Sequence, residues 1–307
     1  MTGTHQHQHG VNAEGYNRAF AIGIALNISF VILEFSYGLI AHSTALLADA
    51  AHNLTDVAGL GLAWGAAVLA RRQSDARFTY GLRSSTILAA LAHAMLLLIA
   101  CGGIAWEALQ RISAAPAVAA STVIWVALVG VVINGITACF FLRDRASDLN
   151  IRGAFIHMAA DAAVSLAVVI VGVVMQKTAW YWLDPLLTLA ILAVILYGTW
   201  GLLRDSALLS LHAAPAHIDS LAIADFLRTQ PGITSVHDLH IWALSTTEVA
   251  LTAHLVMPRG QPADQLLGEL CATLKRDFGI QHATLQVESF ESDHGCALIV
   301  EPSHAHT

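Results

Sequence analysis

Charge is what this chain lacks most. Only 12% of its 307 residues are Asp, Glu, Lys or Arg, against about 25% in an ordinary soluble domain. With 56% hydrophobic residues it cannot coat a globule in water, which excludes a conventional soluble enzyme, and it is too apolar for a disordered chain. Cysteine is sparse as well: Cys101, Cys139, Cys271 and Cys296 form no C-x-x-C, so neither a disulfide framework nor a thiolate zinc finger is expected. There is no basic excess, the net charge being −7, and hence no footprint for a nucleic-acid partner. The opening MTGTHQHQHGVNAEGYNR is polar, without the apolar run and cleavage site of a signal peptide.

Imidazole, by contrast, is plentiful: 16 His against 15 Lys plus Arg, a composition that raises the question of metals or protons. The charge is also unevenly placed. Residues 1–209 carry 11 acidic and 11 basic side chains, whereas 210–307 carry 11 acidic and 4 basic, so the whole net charge lies in an acidic, water-soluble tail.

Six apolar stretches, near 18–40, 45–70, 85–109, 118–142, 153–175 and 180–203, each approach the ~20 residues of a membrane span. Their connectors are short, as in a compact helical bundle. Nine basic residues fall on one side: Arg18, Arg71, Arg72, Arg77, Arg83, Arg143, Arg145, Arg152 and Arg204, against Arg111 and Lys177 on the other. The positive-inside rule then puts both termini and the acidic tail in the cytoplasm of an integral plasma or inner membrane protein. Asp184-Pro185 opens the sixth span, where Asp can cap and Pro can occupy the first turn. Gly61 and Gly65 form a G-x-x-x-G that would admit a neighbouring helix.

The tail reads as a helix at 217–229, a Pro231-Gly232 turn, a hairpin of VHDLHIWAL and EVALTAHLVM around Ser245-Thr246, a helix at 262–277 and a strand HATLQVESF. The fold class is therefore a six-helix membrane bundle with a C-terminal α+β domain of αββαβ order. The division is 1–16 tail, 17–209 membrane domain, 210–292 cytoplasmic domain and 293–307 tail.

Ionisable side chains within spans are costly and usually functional; here they are Glu34, Asp49, His52, Asp56, His93, His157 and Asp161. Four of them repeat one pattern, His52-x-x-x-Asp56 in span two and His157-x-x-x-Asp161 in span five. Spacing of i, i+4 puts each pair on one helix face. Two such faces would offer two imidazoles and two carboxylates to one point, a tetrahedral set suited to Zn²⁺. Soft Cu(I) would call for sulfur ligands, and Mg²⁺ or Ca²⁺ for oxygen alone. Metal and protons compete for these atoms, so alternating exposure of the set gives metal/proton exchange. As polar staples between helices, two identical pairs would bury four ionisable groups to no purpose. Asp49 shares the His52 face as an acceptor behind the ligands or a group on the route to them; Glu34 and His93, with Asn27 and Asn134, read more readily as structural polar contacts.

STALLADAAHNLTDVAGL, FTYGLRSSTILAAL, IRGAFIHMAADAAVSLAVVI, YWLDPLLTLAIL and SVHDLHIWAL, spread over residues 17–290, resemble the cation diffusion facilitator family of metal transporters. The resemblance implies a homodimer of six-span subunits with a metallochaperone-like cytoplasmic domain, exporting Zn²⁺ in exchange for H⁺. It carries the transport site onto His52, Asp56, His157 and Asp161. His at the first position goes with zinc preference in the family, leaving Cd²⁺ and Co²⁺ as secondary cargo. It also implies an ion pair of Arg83 with Asp205, and metal ligands in the cytoplasmic domain among His237, His240, His254, His282 and Glu288. Gln281 stands where some relatives have His. The span two to three loop, ARRQSDARFTYG, has Asp75 but no His, so the second site some members hold there is not expected. The loop LRDRASDLNIRG is short and lacks the His-rich insert of others. His5, His7, His9, His304 and His306 decorate the tails. An intramembrane zinc hydrolase would need an activating acid and an open coordination position, such as H-E-x-x-H, which the chain lacks. A membrane-anchored metal sensor would leave the paired motifs in spans two and five unexplained.

Overall fold

The computed structural model describes residues 28–113, 115–141, 149–258 and 264–290. The two tails with their histidines, Asn27, Arg18, Arg143 and Arg145 lie outside them. In chain order the elements are α1 (Ile28–Ala41), α2 (Thr44–Ala70), α3 (Ser85–Ser113), α4 (Ala120–Phe141), α5 (Leu149–Thr178), α6 (Leu183–Ser210), α7 (Ser220–Arg228), β1 (Ser235–Ala243), β2 (Val249–Val256), α8 (Asp264–Asp277) and β3 (His282–Glu288). Helices α2 to α6 are long and apolar enough to cross a bilayer; α1 is a shorter apolar helix in the described residues. The chain forms two compact units, 1–58 with 96–198 and 59–95 with 199–307.

In the first unit Leu46, Val123, Val168, Met175 and Leu192 make the buried core. Large apolar side chains such as Ile40, Ile99, Trp125, Val194 and Tyr197 point outward and are more than half exposed. That arrangement suits a hydrocarbon solvent, in which helices satisfy their own backbone groups. Helices α4 and α5 pack along their length because α4 and α5 each carry a glycine at a close approach. A β-carbon on Gly130 would lie 2.7 Å from Phe30 Cζ and 2.9 Å from Ser165 Oγ, and one on Gly172 would lie 2.8 Å from Ile124 Cγ1. Gly61 and Gly65, the pair expected to receive a helix, face open space.

Asp184 departs from its expected role. Its carboxylate does not cap its own helix but accepts from Thr44 N–H (2.6 Å), Thr44 Oγ1 (2.7 Å) and Ser43 Oγ (2.5 Å). It therefore caps the start of α2, where unpaired N–H groups and the positive helix end favour a carboxylate.

In the second unit the sheet has the order β1-β2-β3, antiparallel then parallel. The hairpin and the crossover through α8 give the αββαβ order. Asp219 caps α7 through the N–H groups of Leu221 and Ala222, and α7 and α8 bury Ile223, Leu227, Leu270 and Leu274 against Leu251 and Leu255. The β1–β2 register is broken by a bulge between His237 and His240, where Asp238 adopts φ +50°.

Candidate metal centres

Helix α2 places His52 and Asp56 one turn apart, and α5 does the same for His157 and Asp161. The four side chains close a ring. His52 Nε2 lies 3.6 Å from Asp56 Oδ2 and 3.9 Å from Asp161 Oδ1; His157 Nε2 lies 3.3 Å from Asp56 Oδ2 and 3.6 Å from Asp161 Oδ2. The imidazoles meet edge to face, 6.0 Å between centroids. Four ligands at about 2.05 Å from a tetrahedral ion stand about 3.4 Å apart; His52, His157 and Asp161 offer ligand atoms within 4.8 Å of one another, and Asp56 Oδ2 flanks both imidazoles without joining that group. Among the described residues Asp56 Oδ2 and Asp161 Oδ2 are buried without a hydrogen-bond donor, which leaves their lone pairs for a cation. Asp161 is the deepest of the four, its side chain 4% exposed, and His157 the most open at 44%.

Asp49 lies on the turn before His52, almost fully buried. It accepts from Ser165 Oγ at 3.2 Å and faces Asn53 Nδ2 at 3.5 Å, so it stands behind the ring rather than in it. Glu34 is fully buried. His93 packs its ring on the backbone of α2 at Gly59, and Asn134 is buried with its amide nitrogen lacking an acceptor among the described residues.

In the sheet, register places His237 opposite His254 and Glu288 beside them on β3. His237 Nε2 is 3.3 Å from Glu288 Oε2, His254 Nδ1 is 3.0 Å from Glu288 Oε1, and the two rings are 5.1 Å apart. These three offer ligand atoms within 4.8 Å of one another. The other two expected members stand apart from that trio. His240, displaced by the bulge, pairs with Asp238 at 3.0 Å and lines a cavity of about 480 Å³ with His212 and Trp242. His282 sits at the opposite end of β3 from Glu288 and packs edge-on against Tyr80 at 5.6 Å. Asp238, which the sequence reading passed over, reaches His254 Nε2 at 3.6 Å; its signal was an acid between two histidines in V-H-D-L-H.

Arg83 forms its ion pair with Glu248, not with Asp205. The reason is the hairpin: its tip approaches the start of α3, where Ser84 Oγ donates to Leu244 O at 3.2 Å and Thr246 N–H to Thr86 Oγ1 at 3.0 Å. Asp75 turns inward on its own loop, accepting from the N–H groups of Phe78 (2.7 Å) and Arg77 (2.8 Å). Those donors, Phe78 first, hold its carboxyl below the usual aspartate range.

The chain is similar in sequence to known proteins. Residues 20–209 match the cation efflux transmembrane domain and residues 215–290 the cation efflux protein, cytoplasmic domain. The cation efflux system protein CzcD of Alcaligenes sp. (strain CT14) is 34% identical over 289 residues, 94% of this chain and 90% of that protein. The zinc transporter ZitB of Escherichia coli (strain K12) is 31% identical over 303 residues, 96% and 95% of the two chains. The cadmium, cobalt and zinc/H(+)-K(+) antiporter of Bacillus subtilis (strain 168) is 29% identical over 306 residues, 97% and 96% of the two. This chain belongs to the cation efflux, or cation diffusion facilitator, family, and is an integral membrane transporter rather than an enzyme.

Proposed function

We propose that the protein exports Zn²⁺ from the cytoplasm in exchange for protons, by alternating access around His52, Asp56, His157 and Asp161. The observation that carries this reading is the closed ring of two imidazole nitrogens and two carboxylates between α2 and α5. Zn²⁺ with two carboxylates and two neutral imidazoles sums to zero, a charge that membrane depth tolerates. Once the ion leaves, the carboxylates stand at −2 and the imidazoles, whose ordinary pKa is about 6.5, take up protons. Return of the protons to the cytoplasmic side resets the ligands for the next ion. The mixed nitrogen and oxygen donors suit Zn²⁺ first and Co²⁺ or Cd²⁺ after it, in keeping with the cargo named for the relatives.

The working unit is a homodimer with both termini in the cytoplasm, divided into a membrane domain at 17–209 and a cytoplasmic domain at 210–292. In the latter, His237, His254 and Glu288, with Asp238 alongside, form a second metal site that senses cytoplasmic Zn²⁺. In proteoliposomes, His157→Ala or Asp161→Ala should abolish zinc-driven proton flux while the purified protein keeps its fold and dimeric mass. Undiminished flux in either variant refutes the site.

A further inference from the structure

One turn from the four proposed ligands, toward the start of α2 and the end of α5, a hydrogen bond ties these two helices together. Ser165 Oγ on α5 donates to Asp49 Oδ2 on α2 at 3.2 Å, and Asn53 Nδ2, a turn along α2, faces Asp49 Oδ1 at 3.5 Å. Asp49 precedes His52 by three residues and Ser165 follows Asp161 by four, so each continues the ligand-bearing face of its own helix. Ser165 is 0% and Asp49 1% exposed. On its other side Ser165 backs onto α4, where a β-carbon on Gly130 would come within 2.9 Å of its Oγ.

The next turn outward is apolar, with Leu46 on α2 and Val168 on α5 fully buried. Val168 follows Asp161 by seven residues and so lies on the same face. Exposure along α5 falls in that direction, from the half-open His157 to the nearly closed Asp161 and the fully buried Ser165. The ring is thus open past His157 and shut past Ser165, and in the orientation proposed above the shut side is the one away from the cytoplasm.

We propose that Asp49 and Ser165 are the exit-side gate of the carrier: their hydrogen bond closes α2 and α5 over the ring while an ion enters past His157, and it breaks when the ion leaves by the other end. A polar tie suits a seal that must open in every cycle. Buried from competing water, the hydroxyl–carboxyl bond holds the two helices at one point. Once they part, water satisfies both groups, so opening strands no polar atom, and Asn53 helps hold the second carboxyl oxygen on its own helix. The gate rests on the transport site and orientation proposed above.

Right-side-out membrane vesicles carrying the full-length chain present the non-cytoplasmic face and test the gate. A reporter, Val168→Cys on α5 or Leu46→Cys on α2, is treated with a membrane-impermeant maleimide, and labelling is followed peptide by peptide by mass spectrometry. Native Cys101, 3% exposed in the same core, is the control. Labelling of the reporter should be slow with Asp49 and Ser165 in place and about tenfold faster with Ser165→Ala, the order of shift set by losing one buried hydrogen bond, while Cys101 stays slow. Asp49→Ala should act alike, and the double variant should add little to either alone. A reporter rate unchanged in both single variants, or an equal rise at Cys101, overturns the gate. Zinc flux in His157→Ala judges the transport site separately. A faster reporter in Ser165→Ala with undiminished flux in His157→Ala keeps the Asp49–Ser165 seal and removes the ligands; an unchanged reporter with flux lost in His157→Ala does the reverse.

Discussion

A β-carbon on Gly59 would sit 2.5 Å from Nδ1 and 2.9 Å from Nε2 of His93, and closer still to Cε1. The residue at 59 must therefore be glycine so that α2 can lie directly against an imidazole ring. Overpacking of this kind costs about 1–3 kcal/mol, so Gly59→Ala should lower the thermal midpoint in detergent, and adding His93→Ala should restore it. A midpoint that stays low in the double variant refutes the contact. Residue by residue, the sequence shows some of this and hides the rest. The His52–Asp56 and His157–Asp161 pairs were readable because i, i+4 spacing fixes a shared face whatever the tertiary packing. Gly59 was not, because its neighbour lies on another helix and the G-x-x-x-G at 61 and 65 gave a louder pattern with nothing beside it. Asp184 and Arg83 misled for a similar reason: their partners lie about 140 and 165 residues away in sequence, at Thr44 and Glu248, and no local rule reaches so far.

At the scale of elements, strand alternation foretold the αββαβ order, but not the bulge that sorts the histidines of β1. Asp238 holds φ +50° there, a region Gly occupies freely and Asp tolerates, while a β-branched residue does not. Asp238→Gly should thus keep the register and leave urea stability within about 1 kcal/mol, whereas Asp238→Val should cost roughly 1–2 kcal/mol or more. Equal unfolding midpoints for the two variants would remove the bulge from consideration. The α2–α3 loop makes a second case. Because backbone N–H groups lower the Asp75 pKa, the ionised carboxylate favours the closed turn. That contribution is full above the ordinary aspartate pKa and disappears as pH falls through the lowered value. Protection of the Arg77 and Phe78 amides from hydrogen exchange should fall only below the ordinary aspartate range in wild type. In Asp75→Asn it should lose that pH dependence.

For the molecule as a whole, scarcity of charge forecast a bilayer-embedded bundle, and the acidic tail a small C-terminal α+β domain, because both follow from how much polar surface each solvent demands; the compact unit that holds this domain also takes in residues 59–95. The pairing of helices was beyond reach of composition, since every span is apolar over most of its surface. That pairing has a consequence for stiffness. The start of α2 is fastened to α6 by the Asp184 carboxylate, while α5 runs zipped to α4 through Gly130 and Gly172. The proposed ligands divide across that seam, two on α2 and two on α5. Zn²⁺ at a hundredfold excess over its Kd should then raise unfolding free energy by about 2.7 kcal/mol, and slow amide exchange along both helices, in wild type but not in Asp161→Asn. On the proposed site the ion would act as a removable pin between α2 and α5, which would make the empty carrier the compliant form and the loaded one the stiff form.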